Sequence, residues 1–181
     1  MSSNPLTGGG VIPPVRGAVS FEVVPWADPR AVALRRAMDD EIAPRYAGRL
    51  DHADPAEAER MSRALAVDPD TIAATVLVLA GGRAVGHAAL RDLGGDFAGS
   101  LEVKRVYVVP AARGTGVSRR LMAELERIAA VAGAHRLILQ TGDRQPEAVA
   151  LYERIGYSRI PIYPPYLPIS FSQCFEKTIG R

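Results

Sequence analysis

The sequence predicts an α/β (α+β) domain built on a mixed, mostly antiparallel twisted sheet with helices on both faces. Three observations carry this. Residues 101–109, rich in β-branched side chains, precede the longest helical pattern, 117–132, and then a short apolar strand, 136–140. Strand, helix and strand in that order make a parallel pair, because a crossover of that length returns the chain in the same direction. Residues 72–80, the pair Gly81-Gly82 and residues 83–90 read as a β-hairpin, with the glycines supplying the tight turn. Placing the remaining periodic segments gives the order β, α, α, β, β, β, α, β, α, β, β.

Taken from the N-terminus, residues 1–17 are rich in Gly, Pro and Ser and read as a flexible tail. Residues 18–181 then form one domain. Val19 to Val24 is a strand. Asp28-Pro29 opens a helix, Asp as cap and Pro at the first helical position, which runs through Leu34 and Ile42 until Pro44 stops it. Asp54-Pro55 repeats the signal for a second helix through Met61 to Leu65. In 117–132, Leu121, Leu125 and Ile128 form one apolar stripe, and Gly133 fits the position just past the end. Residues 147–155 form a helix closed by Gly156. Residues 160–163 and 171–179 are the last strands, separated by a Pro-rich loop.

Composition narrows the function. With 181 residues the chain can bury one full core. A net charge of +2, with arginines spread along the chain, lacks the clustered basic face that nucleic acid requires. No apolar run reaches membrane-spanning length, and no basic region followed by an apolar stretch marks a signal peptide, so the expected compartment is cytoplasmic. Cys174 is the single cysteine and reads as a small core residue. The spacing of His52, His87 and His135 suggests no metal, and His87 reads as a core or hydrogen-bonded histidine. Exposed edge strands leave room for a homodimer.

The sharpest feature is Val106-Tyr107-Val108-Val109-Pro110-Ala111-Ala112-Arg113-Gly114-Thr115-Gly116-Val117-Ser118-Arg119-Arg120-Leu121: a strand, a tight turn of small residues, then a long helix. The first N–H groups of a helix lack internal partners and carry the positive end of its dipole. Glycines clear the side chains that would keep a ligand's phosphates off that backbone. By chemistry alone the segment is a seat for a diphosphate. It is neither a Walker loop nor GxGxxG.

Arg113-Gly-Thr-Gly116-Val-Ser118 resembles the acyl-CoA signature of the GNAT N-acetyltransferases, Arg/Gln-x-x-Gly-x-Gly/Ala, with Ser118 in place of the last small residue. Gln145-Pro-Glu-Ala148-Val-Ala-Leu151-Tyr152-Glu-Arg-Ile-Gly156-Tyr157 resembles the family's Asn-x-x-Ala-x-x-Leu-Tyr-x-x-x-Gly-Phe. The resemblance covers roughly residues 70–160. It implies that the parallel strands splay, with pantetheine of acetyl-CoA pairing along Val106, Tyr107 and Val108. The pyrophosphate would sit on the amides of Arg113, Gly114, Thr115, Gly116, Val117, Ser118 and Arg119, with Gln145 nearby. Glu102, in Glu-Val-Lys-Arg-Val-Tyr-Val, resembles a family variant in which this carboxylate is the base; its alternative is a solvated strand-end carboxylate paired with Lys104 or Arg83. Tyr152 matches the family's proposed acid for the departing thiolate; its alternative is plain packing.

The implied function is transfer of acetyl from acetyl-CoA to a primary amine of a small molecule by direct attack in a ternary complex. The alternatives are peptide or protein N-terminal acetylation and a non-catalytic acyl-CoA sensor. Residues 44–54 and 161–168 are the expected acceptor wall, with Arg45, Tyr46, Tyr163 and Tyr166 as contacts. Arg45 or Arg49 would suit an amine that carries a carboxylate.

Overall fold

The computed structural model describes residues 18–49 and 54–180. The expected tail and His52 lie outside the described residues. Strands β1 (Val19–Val24), β2 (Ile72–Ala80), β3 (Arg83–Arg91), β4 (Ser100–Val108), β5 (Arg136–Gly142), β6 (Ser158–Ile160) and β7 (Ser172–Thr178) form a seven-stranded sheet in the order β1-β2-β3-β4-β5-β7-β6. Only β4 and β5 run parallel; the other pairs are antiparallel. Gly81 and Gly82 both adopt positive φ, as the hairpin turn between β2 and β3 requires.

Among the described residues four α-helices cover the sheet: α1 (Pro29–Tyr46), α2 (Pro55–Leu65), α3 (Val117–Val131) and α4 (Pro146–Arg154). The Asp28 carboxylate accepts the Arg30 amide at 2.8 Å, and Asp54 accepts that of Ala56 at 3.0 Å, each with proline following. Pro44 does not stop α1. It sits inside the last turn, where only its own N–H is lost, and the helix continues to Tyr46 before the Ala47 N–H bonds back to the Pro44 carbonyl. Arg45 and Tyr46 are therefore helical rather than loop residues. The last short strand is also displaced from its expected place at 160–163. It ends at Ile160, and the proline-rich stretch after it turns Tyr163 and Tyr166 into the protein interior.

One face of the sheet packs on α3 and α4, burying Val76, Leu90, Val103, Leu121, Leu125, Leu139 and Phe175. The other face carries two smaller clusters, one joining Ala31 and Leu34 of α1 to Leu77 and Tyr107, the other joining Met61 of α2 to Ile138, Tyr166 and Ile169. Each large aliphatic side chain so buried contributes roughly 1.5–3 kcal/mol.

The site is made by a mismatch in the sheet. Parallel pairing of β4 with β5 runs from Ser100–Arg136 to Val103–Leu139 and ends there. Beyond it β5 stays with β7, while β4 continues from Lys104 to Val108 with only β3 beside it. Between the pairs Ala89–Lys104 and His87–Tyr107, β4 holds one residue more than β3, which is a β-bulge. Arg105 in that bulge has φ 58°, a left-handed conformation that costs a non-glycine residue roughly 1–2 kcal/mol. Two contacts hold it. Its guanidinium bonds Asp39 at 2.6 and 2.7 Å, and its carbonyl accepts from His87 Nδ1 at 2.9 Å. Arg35 Nη1 lies 3.1 Å from His87 Nε2 and can only donate, so Nε2 accepts and the ring proton sits on Nδ1.

Candidate active site

Two cavities meet in the opening between β4 and β5. The first, about 560 Å³, lies among β4, the turn after it, the start of α3 and α4. Gly114 and Gly116 have φ 74° and 79°, and no atom stands within 4 Å of where a Cβ would be, so backbone conformation selects glycine there. Gly116 caps α3 without a side-chain hydrogen bond, leaving the first helical amides for a ligand. Because the Val109 amide bonds Val85 across β3, strand alternation turns the N–H and C=O of Val106 and Val108 toward the opening.

The sequence-assigned cofactor residues converge on this cavity. Val106, Tyr107, Val108, Arg113, Gly114, Gly116, Val117, Ser118, Arg119 and Gln145 all line it. Thr115 does not; its hydroxyl turns inward to the Ala112 carbonyl at 2.7 Å. Arg45, expected at the acceptor, lines this cavity instead and pairs with Glu41 and Glu147. Arg113 bonds the Val108 carbonyl at 2.9 Å and grips Glu41 at 2.7 and 3.0 Å. The Arg113 guanidinium in turn holds the Glu41 carboxyl below its usual range. Glu41 was not legible in the sequence as a site residue, since nothing near position 41 marks it and α1 alone brings it to residue 113.

The second cavity, about 450 Å³, lies beneath α1 and α2 and is walled by Met38, Ile42, Met61, Leu65, Ile169 and Phe171. Its polar lining includes Asp39, Tyr46, Arg49, Lys104, Arg105 and Gln140. Arg49 bonds Asp143 at 2.7 Å and stacks 4.4 Å over the Phe171 ring. Tyr46 lines this cavity, stacked on Phe171, its hydroxyl accepting the Arg144 amide at 3.2 Å. Ile42, Val106, Gln145, Ala148 and Tyr152 line both cavities. Tyr152 thus stands where the two rooms join, and burial pushes its phenol above the ordinary range, so it stays protonated at neutral pH.

Glu102 is not a solvated strand-end carboxylate, and it pairs with neither Lys104 nor Arg83. It is 0% exposed and lies opposite Arg91 on β3. Arg91 donates to Oε2 through Nε at 2.7 Å and Nη2 at 2.6 Å; Tyr163 and Tyr166 donate to Oε1 at 2.8 and 2.6 Å. All four acceptor directions are filled, and Glu102 lines neither cavity. Tyr166, expected on the acceptor wall, is fully buried and lines neither cavity; it packs beneath Met61 and Ile169, and Lys104 Nζ donates to its hydroxyl at 2.6 Å. Tyr163 is likewise interior. Of the histidines, His87 is the buried strap described above, and burial lowers it to about 4. The His135 ring packs against Gly99, where a Cβ would fall 2.3 Å from it. Cys174 is buried, which raises its thiol. Among the described residues, no group of three or more His, Cys, Asp or Glu is placed to hold a metal, and no helix is long and apolar enough to cross a membrane.

Residues 34–157 match the family model described as Acetyltransferase (GNAT) family. The chain belongs to that family. A segment of 78 residues is 40% identical to the IAA acetyltransferase of Azospirillum brasilense, covering 43% of this chain and 51% of that protein. Another of 79 residues is 33% identical to the uncharacterized N-acetyltransferase YjgM of Escherichia coli, covering 44% and 47%. The matched stretch thus spans about half the length of these relatives. A Klebsiella pneumoniae structure assigned to the acyl-CoA N-acyltransferases superposes with TM-score 0.71 at 29% identity, over 90% of this chain and 98% of that one. The PaiA N-acetyltransferase of Thermoplasma acidophilum, solved with coenzyme A, shares the fold with TM-score 0.63 at 16% identity, over 90% and 99%.

Proposed function

We propose that this GNAT chain transfers the acetyl group of acetyl-CoA to a primary amine of a small molecule, by direct attack with both substrates bound. The observation that carries this reading is the pair of cavities meeting at Val106, Ala148 and Tyr152: one has free helix amides at its end, the other is a mostly apolar room of about 450 Å³. That volume lies within the range of small-molecule pockets. The first cavity fits coenzyme A by its chemistry. The amides of Val117, Ser118 and Arg119 suit a pyrophosphate, Arg119 adds positive charge, and the open edge of β4 offers Val106 and Val108 to an amide-bearing arm.

Each residue then has a role. The Val106 N–H bonds the thioester oxygen and stabilises the charge that grows there as the amine adds. The Tyr152 hydroxyl, protonated at neutral pH, gives a proton to the departing sulfur. Apolar walls from α1 and α2 keep water from the thioester. Glu102 belongs to the machinery as the anchor of Arg91, Tyr163 and Tyr166, beneath the cavity floor.

Purified protein with acetyl-CoA and a panel of amines, followed by free-thiol detection, tests the reading. We expect calorimetric binding of coenzyme A and thiol release that depends on the amine. A chain that does not bind coenzyme A overturns the proposal. Binding without turnover on small amines, but with turnover on peptide N-termini, moves the acceptor to peptides.

A further inference from the structure

Lys104 is the first residue of β4 beyond the last parallel pair, and it sits beside the bulge that opens the sheet. Glu102 and Lys104 share the α1–α2 face of β4, because Leu101 and Val103 between and before them enter the core under α3. Only Lys104 of the two lines the acceptor cavity. It is buried at 6% exposure, and no carboxylate among the described residues comes within ion-pair distance of its Nζ. Among the described residues its one hydrogen-bond partner is the Tyr166 hydroxyl at 2.6 Å. That hydroxyl has a single proton, already given to Glu102 Oε1 at 2.6 Å, so it can only accept from Lys104. A neutral Lys104 amine therefore keeps its lone pair for a donor arriving through the cavity. Glu102, saturated by four protein donors, has no such position to offer.

We propose that Lys104 is the proton acceptor of the transfer reaction, taking a proton from the acceptor ammonium, while Glu102 positions it through Tyr166. This deepens the proposed function and rests on it. Two protons leave the acceptor nitrogen. In the first step an N–H bond of R–NH₃⁺ breaks, its electron pair stays on nitrogen, and the proton bonds to Lys104 Nζ. The free amine then forms the C–N bond to the thioester carbon, and the C–S bond breaks. The departing sulfur takes its proton from Tyr152, which regains one from the nitrogen as the amide forms. Lys104 releases its proton to water once the product leaves, so one proton is freed per turnover.

The surroundings suit a lysine that alternates between charged and neutral forms. Burial opposes the ammonium most, Glu102 favours it, and Arg91 on β3 and Arg105 on β4 oppose it; Cys174 on β7, its thiol raised by burial, carries no charge. Asp39 on α1 is committed to Arg105, and Tyr163 and Tyr166 stay neutral through burial. The balance lowers the Lys104 amine to about 8 from its ordinary 10.5. Neutral and charged forms then coexist near physiological pH, as a general base needs.

The chain has two lysines, Lys104 and Lys177, which makes a direct test accessible. In protein labelled with ¹³C at lysine Cε, and in a Lys177→Arg variant for assignment, one resonance should titrate near pH 8. Lys104→Gln and Lys104→Arg should each lower kcat about 10²-fold or more, with coenzyme A affinity by calorimetry unchanged. The wild-type rate should rise through pH 8, and that limb should vanish in both variants. Arginine keeps the positive charge but cannot act as a base. A Lys104→Arg enzyme with wild-type kcat means that the residue only holds an acceptor anion and overturns the inference. So does a Lys104 resonance that titrates above pH 10. A wild-type chain that binds no coenzyme A defeats the proposed function and this inference with it, whereas the Lys104→Arg and titration results overturn this inference alone.

Discussion

Replacing Glu102 by glutamine removes one negative charge from a place that water does not reach. In the native protein four N–H and O–H donors converge on its two oxygens, two of them from Arg91, which is itself 5% exposed. Glutamine keeps one oxygen and turns an NH₂ toward the remaining donors. Arg91 is left as a buried cation without a counter-charge, a loss that typically costs about 3–5 kcal/mol. With a urea m-value of about 2 kcal/mol/M, the unfolding midpoint should fall by roughly 2 M at constant m. Native stabilities of about 5–15 kcal/mol allow the variant to remain folded for measurement. The double variant Arg91→Met/Glu102→Leu removes both charges together and should recover most of the loss, which identifies the cost as an uncompensated charge rather than a cavity. Urea unfolding followed by circular dichroism measures both. A Glu102→Gln midpoint within about 0.5 M of wild type would refute the buried anchor and return this carboxylate to solvent and to the role of direct base.

The other expectations are more local. Tyr152→Phe should lower kcat about 10²-fold or more while coenzyme A affinity by calorimetry stays put, since the hydroxyl and not the ring is removed; an unchanged kcat reduces this tyrosine to packing. Gly116→Ala forces a Cβ into φ 79°, which costs roughly 1–2 kcal/mol, so coenzyme A affinity or stability should drop about tenfold. Neither changing would mean the turn relaxes freely. His87, ordinarily near 6.5, is lowered to about 4 in the fold, so the unfolded chain takes up the proton first. Its contribution is complete above pH 6.5 and is lost as pH falls toward 4, by up to about 3 kcal/mol. Unfolding midpoints measured from pH 7 to 4 should decline more steeply in wild type than in His87→Gln; parallel curves sink the strap.

How much of this was legible follows from where each signal lives. The strand, glycine turn and helix were readable because they are contiguous, falling within Val106 to Leu121, and they wall one cavity together. The parallel pair and the hairpin were readable for the same reason, each being a local pattern of period and turn. The pairings made across the fold were not. Glu41 reaches Arg113 across 72 positions, and Arg91, Tyr163 and Tyr166 reach Glu102 across 11, 61 and 64. No spacing encodes such meetings. Tyr166 drew attention as an aromatic loop residue, yet the proline-rich loop folds inward because its tyrosines find a buried carboxylate and arginine to satisfy their hydroxyls. Pro44 misled in the opposite direction, since a proline in a last turn loses one bond and no more.

The bulge unites these parts. Had β4 kept its register with β3, the residues after Val103 would have stayed flat beside β5, and parallel pairing could have run on to close the sheet. The extra residue at Arg105 turns the strand instead, so Lys104 ends at the floor of one cavity and Val106 at the junction of both. A left-handed arginine is strained, and only contacts from outside the strand keep it: Asp39 on its guanidinium and His87, backed by Arg35 and the Trp26 ring 3.6 Å from it, on its carbonyl. Gly86, next to His87, lets β3 approach closely enough for this, since a Cβ there would press on Val78 at 3.0 Å and the Tyr107 carbonyl at 3.2 Å. Residues with no part in proton transfer thus set the distance between the groups that have one. It follows that His87→Gln should lower kcat without altering the pH at which Lys104 titrates, whereas a change at Tyr166 should move both.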